Sequence, residues 1–312
     1  MERLTLGSGV PEALRGGIVA LGNFDGFHLG HQAVVGRAVT RAAHEGRPAI
    51  VATFDPHPVR YFRPDAPPFR LTSLDQRERL FAGAGAEAAL VLRFDAQLAA
   101  TGAEAFVDLL ARELGAAGVV TGEDFTFGAR RSGNVAVLRD LGAARGMAAE
   151  TVAAVAVDGE AVSSSRIRQA LADADPATAT RLLTRSFAIQ GVVQHGDKRG
   201  RQLGYPTANL VLDDYQRPSY GINAVRVRLP NGAEHAGVAS LGIRPTFDPP
   251  VELLEAYLFD FTGDLYGQTV EIALHHYLRG EEKFASLDAL TEQMRADEAE
   301  ARRLLLSTSS RP

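Results

Sequence analysis

The chain has 312 residues, of which 46% are hydrophobic and 23% charged, with a formal net charge of −5 and no cysteine. This length predicts two domains, each large enough for its own core, and the charge gives no support for a broad nucleic-acid or membrane-binding surface. The absence of cysteine excludes disulfides, thiolate nucleophiles and Cys-ligated zinc. The sequence shows no signal-peptide pattern and no run of roughly 18 apolar residues, so we expect a cytoplasmic protein.

In the first half, short β-like runs alternate with helical stretches from about residue 15 to 180. We predict strands at 18–21, 49–54, 89–94, 118–121 and 151–155, and helices at 29–45, 73–84, 103–114 and 135–145. This alternation predicts a doubly wound parallel sheet with helices on both faces. Ligands of such sheets bind at the carboxyl ends of the strands.

The second half has a different pattern. We predict strands at 187–193, 222–229, 236–241, 254–259 and 270–277, separated by Gly, Pro and Asn turns, and a helix at 287–306. Closely spaced strands before one terminal helix predict a small antiparallel β-barrel with a C-terminal helix. We place the domain boundary between residues 184 and 185.

Three polar clusters stand out in the first half: G-N-F-D-G-F-H-L-G-H at 22–31, T-F-D-P-H-P at 53–58 and S-S-S-R-I-R at 163–168. His28 and His31 would lie at a strand-to-helix corner, where free N–H groups favour anions. Adenylyl transfer needs donors around the α-phosphate of ATP, and a Ser-rich, Arg-containing helix start would suit the outer phosphates. Singly, each cluster is also typical of a turn or a helix cap, and H-x-x-H alone is weak evidence for a metal. The prediction depends on the three together.

The densest motif is G-V-V-Q-H-G-D-K-R-G-R-Q-L-G-Y-P-T-A-N at 191–209. It is not a Walker A loop, because Asp197 stands where the lysine would be. Its glycines and cations would still suit phosphates. Thr207 and Asn209 would share one face of an extended segment and could complete a mostly hydrated magnesium site. Taken alone, a polar hairpin is the simpler interpretation.

The first-half clusters, together with G-E-D-F-T-F-G at 122–128, resemble the adenylyltransferase half of prokaryotic bifunctional riboflavin kinase/FAD synthetases. The resemblance implies a nucleotidylyltransferase-like domain over residues 1–184 that transfers an adenylyl group from ATP to FMN, giving FAD and pyrophosphate. It implies that His28 and His31 stabilise the transferring phosphoryl group and that Asp124 and Phe125 line the flavin side. The full set of implied binding positions is Gly22, Asn23, Phe24, Asp25, Gly30, Asp124, Phe125, Ser163, Ser164, Ser165 and Arg168. Relatives often carry Asn at position 124 and Thr at position 165.

The 196–209 segment resembles the riboflavin kinase signature, as do G-I-R-P-T-F at 242–247, L-E-A-Y-L-F-D at 254–260 and L-R-G-E-E-K-F at 278–284. The resemblance implies that residues 185–312 phosphorylate riboflavin to FMN. In that reaction Thr207 and Asn209 would hold Mg²⁺-ATP, and Glu255 would take the proton from the riboflavin 5′-hydroxyl. The other implied binding positions are Gly191, Gly196, Lys198, Arg199, Gly200 and Arg279. Asn223, His275 and His276 depart from the pattern of relatives.

Two other classes of protein stay open at this point. A class I aminoacyl-tRNA synthetase fragment would share H-x-G-H, although no K-M-S-K-S-like segment is present. A flavin-binding or regulatory protein could carry one degenerate half. For the favoured enzyme we expect riboflavin, FMN and ATP as small-molecule partners and Mg²⁺ as cofactor, with no nucleic-acid, membrane or obligate protein partner.

Overall fold

The computed structural model describes residues 1–5, 9–195, 205–244 and 251–308. Two compact units are present: the first comprises residues 1–67 and 73–163, and the second comprises residues 68–72 and the chain from Ser164 onwards. Residues 164–184 therefore pack with the second unit, whereas the boundary drawn from the sequence lies after residue 184.

The first unit contains a six-stranded sheet in the order β1-β4-β3-β2-β5-β6, with all neighbours parallel. Its strands are β1 (Glu2–Thr5), β2 (Ile18–Leu21), β3 (Ala49–Asp55), β4 (Ala88–Arg93), β5 (Gly118–Gly122) and β6 (Ala148–Val152). Its helices are α1 (Leu29–Glu45), α2 (Pro58–Phe62), α3 (Leu74–Gly83), α4 (Ala96–Ala100), α5 (Ala103–Asp108, continued by a π-helical turn over Leu109–Glu113) and α6 (Val135–Ala143). A short hairpin, β7 (Ala156–Val157) and β8 (Glu160–Ala161), follows.

Both faces of this sheet are buried, which confirms the doubly wound prediction. Val19 and Leu21 of β2 enter the hydrophobic cluster on one face, and Ile18 and Ala20 enter the cluster on the other. A strand buried on both sides reads as a continuous apolar run, which is why β2 is readable from sequence. The two edge strands are harder to read from sequence, because each pairs on one side only and carries few buried side chains. The sequence gives no prediction for β1, and β6 starts three residues before its predicted start.

The second unit contains an antiparallel sheet in the order β10-β13-β12-β11-β14-β9. Its strands are β9 (Phe187–Val192), β10 (Thr207–Val211), β11 (Gly221–Arg228), β12 (Glu234–Arg244), β13 (Val251–Leu258) and β14 (Thr269–Arg279), and its helices are α7 (Ser164–Ala172), α8 (Pro176–Leu183) and α9 (Leu287–Thr308). The two edge strands meet where the Gln194 N–H donates to the Asn209 carbonyl at 2.9 Å. The sheet therefore curls into the predicted small barrel.

Helices cover part of the outer surface of this barrel. Ala301 and Leu305 of α9 share a buried cluster with Ala224 of β11 and with Phe259. Helix α8 packs against β9 and β14. Strand β14 is irregular, because Ala224 pairs with His276 while the next residue, Val225, pairs with Leu274. His275 is thus an extra residue in β14, which is a β-bulge.

Candidate active sites

The first-unit clusters begin at one edge of the parallel sheet. Strands β3, β2 and β5 are adjacent and parallel, so the turns that follow them start at the same carboxyl edge. The chain continues from β2 to β3 on one side, and β5 lies on the other side. The end of β2 is therefore the topological switch point, where ligands of such sheets bind.

The histidine pair lies at the start of α1. His28 is the N-cap residue, and its Nδ1 accepts a hydrogen bond from the His31 N–H at 3.4 Å. The two imidazole rings stack with centroids 3.6 Å apart. Because Nδ1 of His28 is an acceptor, the neutral ring carries its proton on Nε2. This arrangement gives a buried imidazole, 6% exposed, with its Nε2–H as a donor at a helix start.

Gly30 lies beside the His28 ring and the Val162 carbonyl. A Cβ atom at this position would lie 3.3 Å from the His28 ring and 3.8 Å from the Val162 carbonyl oxygen. The glycine therefore leaves room for the His28 ring. It also shows that the chain leading into Ser163 passes beside the histidine corner, within the first unit.

The turn that carries the histidines is held in an unusual backbone conformation. Phe24 and Phe27 have φ angles of 52° and 44°, in the left-handed region that side chains with a Cβ rarely adopt. Both rings are buried and pack edge-on against Phe81 of α3, at 5.7 and 5.3 Å. Asp25 is also buried, 5% exposed. In this structure Phe24 is a packing residue, Asn23 is exposed, and a Cβ at Gly22 would lie 3.1 Å from the Phe24 ring.

The predicted flavin-side residues follow β5. Asp124 is exposed, and its Oδ1 would lie 3.1 Å from a Cβ atom at Gly122. Phe125 stacks on Phe127 with ring centroids 5.8 Å apart. Both residues therefore lie at the same sheet edge as the histidine turn.

An aromatic row, which no sequence motif indicates, extends from Phe127. Its successive ring neighbours are Phe106, Phe54 and Phe94, followed by Tyr61 and Phe62 of α2. Phe62 is 64% exposed, so the row reaches the surface. Phe54 and Phe127 belong to motifs that were recognised, but nothing in their spacing indicated that the chain brings them together.

The third cluster is divided between the units. Ser163 ends the first unit, and Ser164 begins α7 in the second; Ser165 is exposed. Arg168 donates from Nε to the Phe69 carbonyl at 2.7 Å, and its guanidinium lies 5.2 Å from the centre of the Phe69 ring. This arginine, predicted to hold phosphate, thus also contacts residues 68–72 of the second unit.

The predicted kinase residues Thr207, Asn209 and Glu255 meet on two neighbouring barrel strands, beside Ser240 of a third. Asn209 of β10 pairs directly with Glu255 of β13, which pairs in turn with Ser240 of β12. Residues that are directly opposite point to the same face of a sheet, so their side chains form one row. The Thr207 hydroxyl donates to the Asn209 side-chain oxygen at 3.2 Å. Asn209 is 4% exposed, whereas Thr207 and Glu255 are half-buried.

Two further predicted binding residues, Gly191 and Arg279, contact other side chains of the second unit. A Cβ atom at Gly191 would lie 3.2 Å from the Leu210 side chain, so the glycine permits close approach of β9 to β10. Arg279 forms two hydrogen bonds to the buried carboxylate of Asp297 on α9, at 2.9 and 2.7 Å, which raise its pKa. Gly196, Lys198, Arg199 and Gly200 lie outside the described residues.

The donor set at Thr207 and Asn209 fits a magnesium ion that keeps most of its water and its phosphate ligands. Two neutral oxygens converge there, and Mg²⁺ prefers oxygen ligands. No group of three or more His, Asp or Glu side chains within the described ranges could hold a metal by itself. No helix in the same ranges is long and apolar enough to cross a membrane.

Comparison with known proteins gives consistent matches for both halves. A family model described as FAD synthetase matches residues 10–166, and one described as riboflavin kinase matches residues 183–305. A bifunctional riboflavin kinase/FMN adenylyltransferase of Pseudomonas fluorescens is 41% identical, covering 95% of this chain and 96% of its own, and one of Escherichia coli K12 is 38% identical, covering 92% of each. A solved Streptococcus pneumoniae structure, described as a macrolide-efflux protein, is 33% identical with a TM-score of 0.86, covering 97% of this chain and 99% of its own.

Proposed function

Because this chain belongs to the family of bifunctional riboflavin kinase/FMN adenylyltransferases, which convert riboflavin to FMN and FMN to FAD with ATP, we propose a residue assignment for its two reactions. Residues 1–184 carry adenylyl transfer and residues 185–312 carry riboflavin phosphorylation. The observation that carries the assignment is the pairing of Asn209 with Glu255 in the barrel, alongside the stacked His28–His31 corner in the parallel sheet.

In adenylyl transfer, a phosphate oxygen of FMN attacks the α-phosphorus of ATP, and the bond from that phosphorus to the β-phosphate oxygen breaks. Negative charge increases on the α-phosphate oxygens in the transition state. His28 donates to these oxygens from Nε2, and His31 supports it from the first turn of α1. Removing one such donor typically costs a hundredfold or more in rate. The burial and fixed tautomer of His28 support this role, since a preorganised donor needs no reorientation.

We assign the flavin and outer-phosphate positions from the motif resemblance. Asp124 and Phe125 line the flavin side, which is supported by the aromatic row that continues from Phe125 to the exposed Phe62. Gly30 gives the nucleotide close access, and Ser163, Ser164, Ser165 and Arg168 bind ATP phosphates. Gly22, Asn23, Phe24 and Asp25 shape the turn that carries His28.

In riboflavin phosphorylation, the 5′-oxygen of riboflavin attacks the γ-phosphorus of ATP, and the bond from that phosphorus to the β-phosphate oxygen breaks. The proton of the 5′-hydroxyl passes to the Glu255 carboxylate. Thr207 and Asn209 supply oxygens for a magnesium ion, which when bound neutralises phosphate charge. Lys198, Arg199, Gly196 and Gly200 contact phosphates, while Gly191 and Arg279 act on this site through packing of β10 and α9. The cytoplasmic location and the lack of nucleic-acid, membrane or obligate protein partners stay predictions of the sequence.

The test measures the two reactions separately in the same proteins. Chromatography of riboflavin, FMN and FAD follows reactions that start from riboflavin or from FMN. His28→Ala and His31→Ala should each lower FAD formation about a hundredfold while riboflavin phosphorylation stays near the parental rate. Thr207→Ala and Glu255→Gln should show the reverse pattern, and FMN supplied directly should restore FAD synthesis.

Matched controls separate chemistry from folding. His28→Asn keeps a side-chain oxygen that can cap α1, so a loss of FAD formation in this variant is not a capping effect. His44→Ala changes an exposed histidine of the same helix and should leave both activities unchanged. Parental FAD formation by either histidine variant would refute the first assignment. Parental FMN formation by Glu255→Gln would refute the second.

A further inference from the structure

The first unit contains a buried arginine that has no proposed role in either reaction. Arg77 of α3 is 5% exposed, and burial of a guanidinium is unfavourable unless its donors are satisfied. Its Nη1 donates to the Thr53 hydroxyl at 2.8 Å and to the carbonyls of Asn23 and Phe54, each at 3.2 Å. Its Nη2 donates to the Asp55 carboxylate at 2.8 Å. All four acceptors lie at the carboxyl end of β3 or in the turn after β2.

The Asn23 carbonyl is the point where these contacts converge. It accepts from Arg77 and also from the Thr53 hydroxyl, at 2.8 Å. Thr53 is fully buried. Two donors from two different elements therefore fix the start of the turn that ends at His28.

The same helix face also holds the rest of that turn. Phe81 is four residues after Arg77, so both side chains lie on one face of α3. Its ring packs against Phe24 and Phe27, the two residues with left-handed backbone. A backbone in this region persists only where its surroundings over-determine it. Helix α3 supplies that constraint twice, by hydrogen bonds from Arg77 and by packing of Phe81.

We infer that Arg77 is a positioning residue for adenylyl transfer: it fixes the strained turn after β2 against the end of β3 and thereby sets where His28 and His31 present their donors. It acts through two main-chain carbonyls, the Thr53 hydroxyl and the Asp55 carboxylate. The inference rests on the proposed roles of the two histidines. A misplacement of about 1 Å at a reacting group can cost on the order of a hundredfold in rate. Loss of the Arg77 hydrogen bonds should therefore lower kcat.

The test uses the full chain with FMN supplied directly. Arg77→Met should lower kcat for FAD formation about a hundredfold, change KM for ATP less than about threefold, and leave riboflavin phosphorylation at the parental rate. Arg77→Lys restores a cationic donor but not the planar set of guanidinium donors, so its kcat should be about tenfold higher than that of Arg77→Met. Arg79→Met removes an exposed cation two residues away and should leave kcat unchanged. Rates are expressed per folded molecule, from the fraction folded in circular-dichroism melts, so that a loss of stability alone leaves kcat unaltered.

A second route keeps the inference decidable if Arg77→Met does not fold. Thr53→Val removes the other donor to the Asn23 carbonyl at nearly constant volume. Arg77→Lys and Thr53→Val should each lower kcat, and the double variant should lose less than the product of the two effects, because both act on one carbonyl. Parental kcat in both single variants, or multiplicative losses in the double variant, would overturn the inference. If His28→Ala also keeps the parental rate of FAD formation, then the proposed histidine roles are wrong as well as the positioning role of Arg77.

Discussion

Replacement of His275 with glutamine should reduce the loss of stability of the second unit in mild acid. His275 is the extra residue of the β14 bulge, and its Nδ1 lies 3.3 Å from the Ser186 hydroxyl. Burial, reinforced by the positive charge of Arg226 and by the neighbouring His276, lowers the pKa of His275 to about 4; Glu234 opposes this shift. Glutamine cannot titrate but can still hydrogen-bond to Ser186, so the substitution separates the effect of protonation on stability from the loss of this hydrogen bond.

The magnitude follows from the two pKa values of this side chain. Because the folded value lies below the unfolded value of about 6.5, the unfolded chain binds the proton first as the pH falls. The stabilisation is complete above about pH 6.5 and is lost towards about pH 4. Between pH 7.5 and 5.5 these two pKa values correspond to a loss of between about 1 and 2 kcal/mol. Solvent screening of this partly exposed ring lowers the expected loss to about 1 kcal/mol.

Urea unfolding at the two pH values, followed by tyrosine fluorescence, measures this loss. The chain has no tryptophan, and six of its seven tyrosines lie in the second unit, so the signal reports on that unit. The parent should lose about 1 kcal/mol more than His275→Gln between pH 7.5 and 5.5. His44→Gln, an exposed change on α1, should match the parent. Equal losses in the parent and in His275→Gln would refute the reasoning.

Three further predictions concern the second unit. Gly221→Ala should destabilise it by about 3 kcal/mol in urea unfolding, because φ is 147° and the new Cβ would lie 2.3 Å from the Arg279 carbonyl oxygen. Arg279→Met should cost about 3 kcal/mol in the same assay by leaving the buried Asp297 carboxylate unpaired, whereas Asp297→Asn should cost clearly less. A fragment of residues 164–312 should phosphorylate riboflavin and melt at a higher temperature than one of residues 186–312, since only the former retains α8 on β9 and β14; equal melting temperatures would contradict this.

The sequence predicted those features of the fold and site that depend on local patterns and motifs. The apolar run of β2, the helix from Leu29 to Glu45 and the placement of His28 at its start are all local, and the structure has them. Pairing across the barrel is not local: Asn209 and Glu255 are far apart in sequence, and only the register of β10 with β13 joins them. The motif resemblance named both residues without indicating that they face each other.

Long-range contacts of polar side chains were the least predictable part of the candidate sites. Arg77 reads as one of several charged residues on an amphipathic helix, and nothing in its spacing indicates that it is buried. Two of its four acceptors are carbonyl oxygens, which every residue carries and which leave no trace in a sequence. Arg279 is a second case: its guanidinium is bound to Asp297, which the motif did not indicate, and its ligand contact stays a prediction.

In the proposed assignment the two candidate sites would handle phosphate charge in different ways, and their folds account for the difference. At the end of β2 the parallel sheet offers a helix start, and stacked imidazoles add directed donors where backbone N–H groups already favour an anion. Within the described part of the barrel, the N–H and carbonyl groups beside Asn209 pair with β13 in the sheet ladder. Thr207 and Asn209 add side-chain oxygens on that face, and oxygens are the ligands that Mg²⁺ prefers. Magnesium should therefore act on riboflavin phosphorylation through Thr207 and Asn209. The Thr207→Ala variant should need more Mg²⁺ for half-maximal FMN formation, with no such shift for FAD formation from FMN, and an unchanged Mg²⁺ requirement would exclude Thr207 as a ligand.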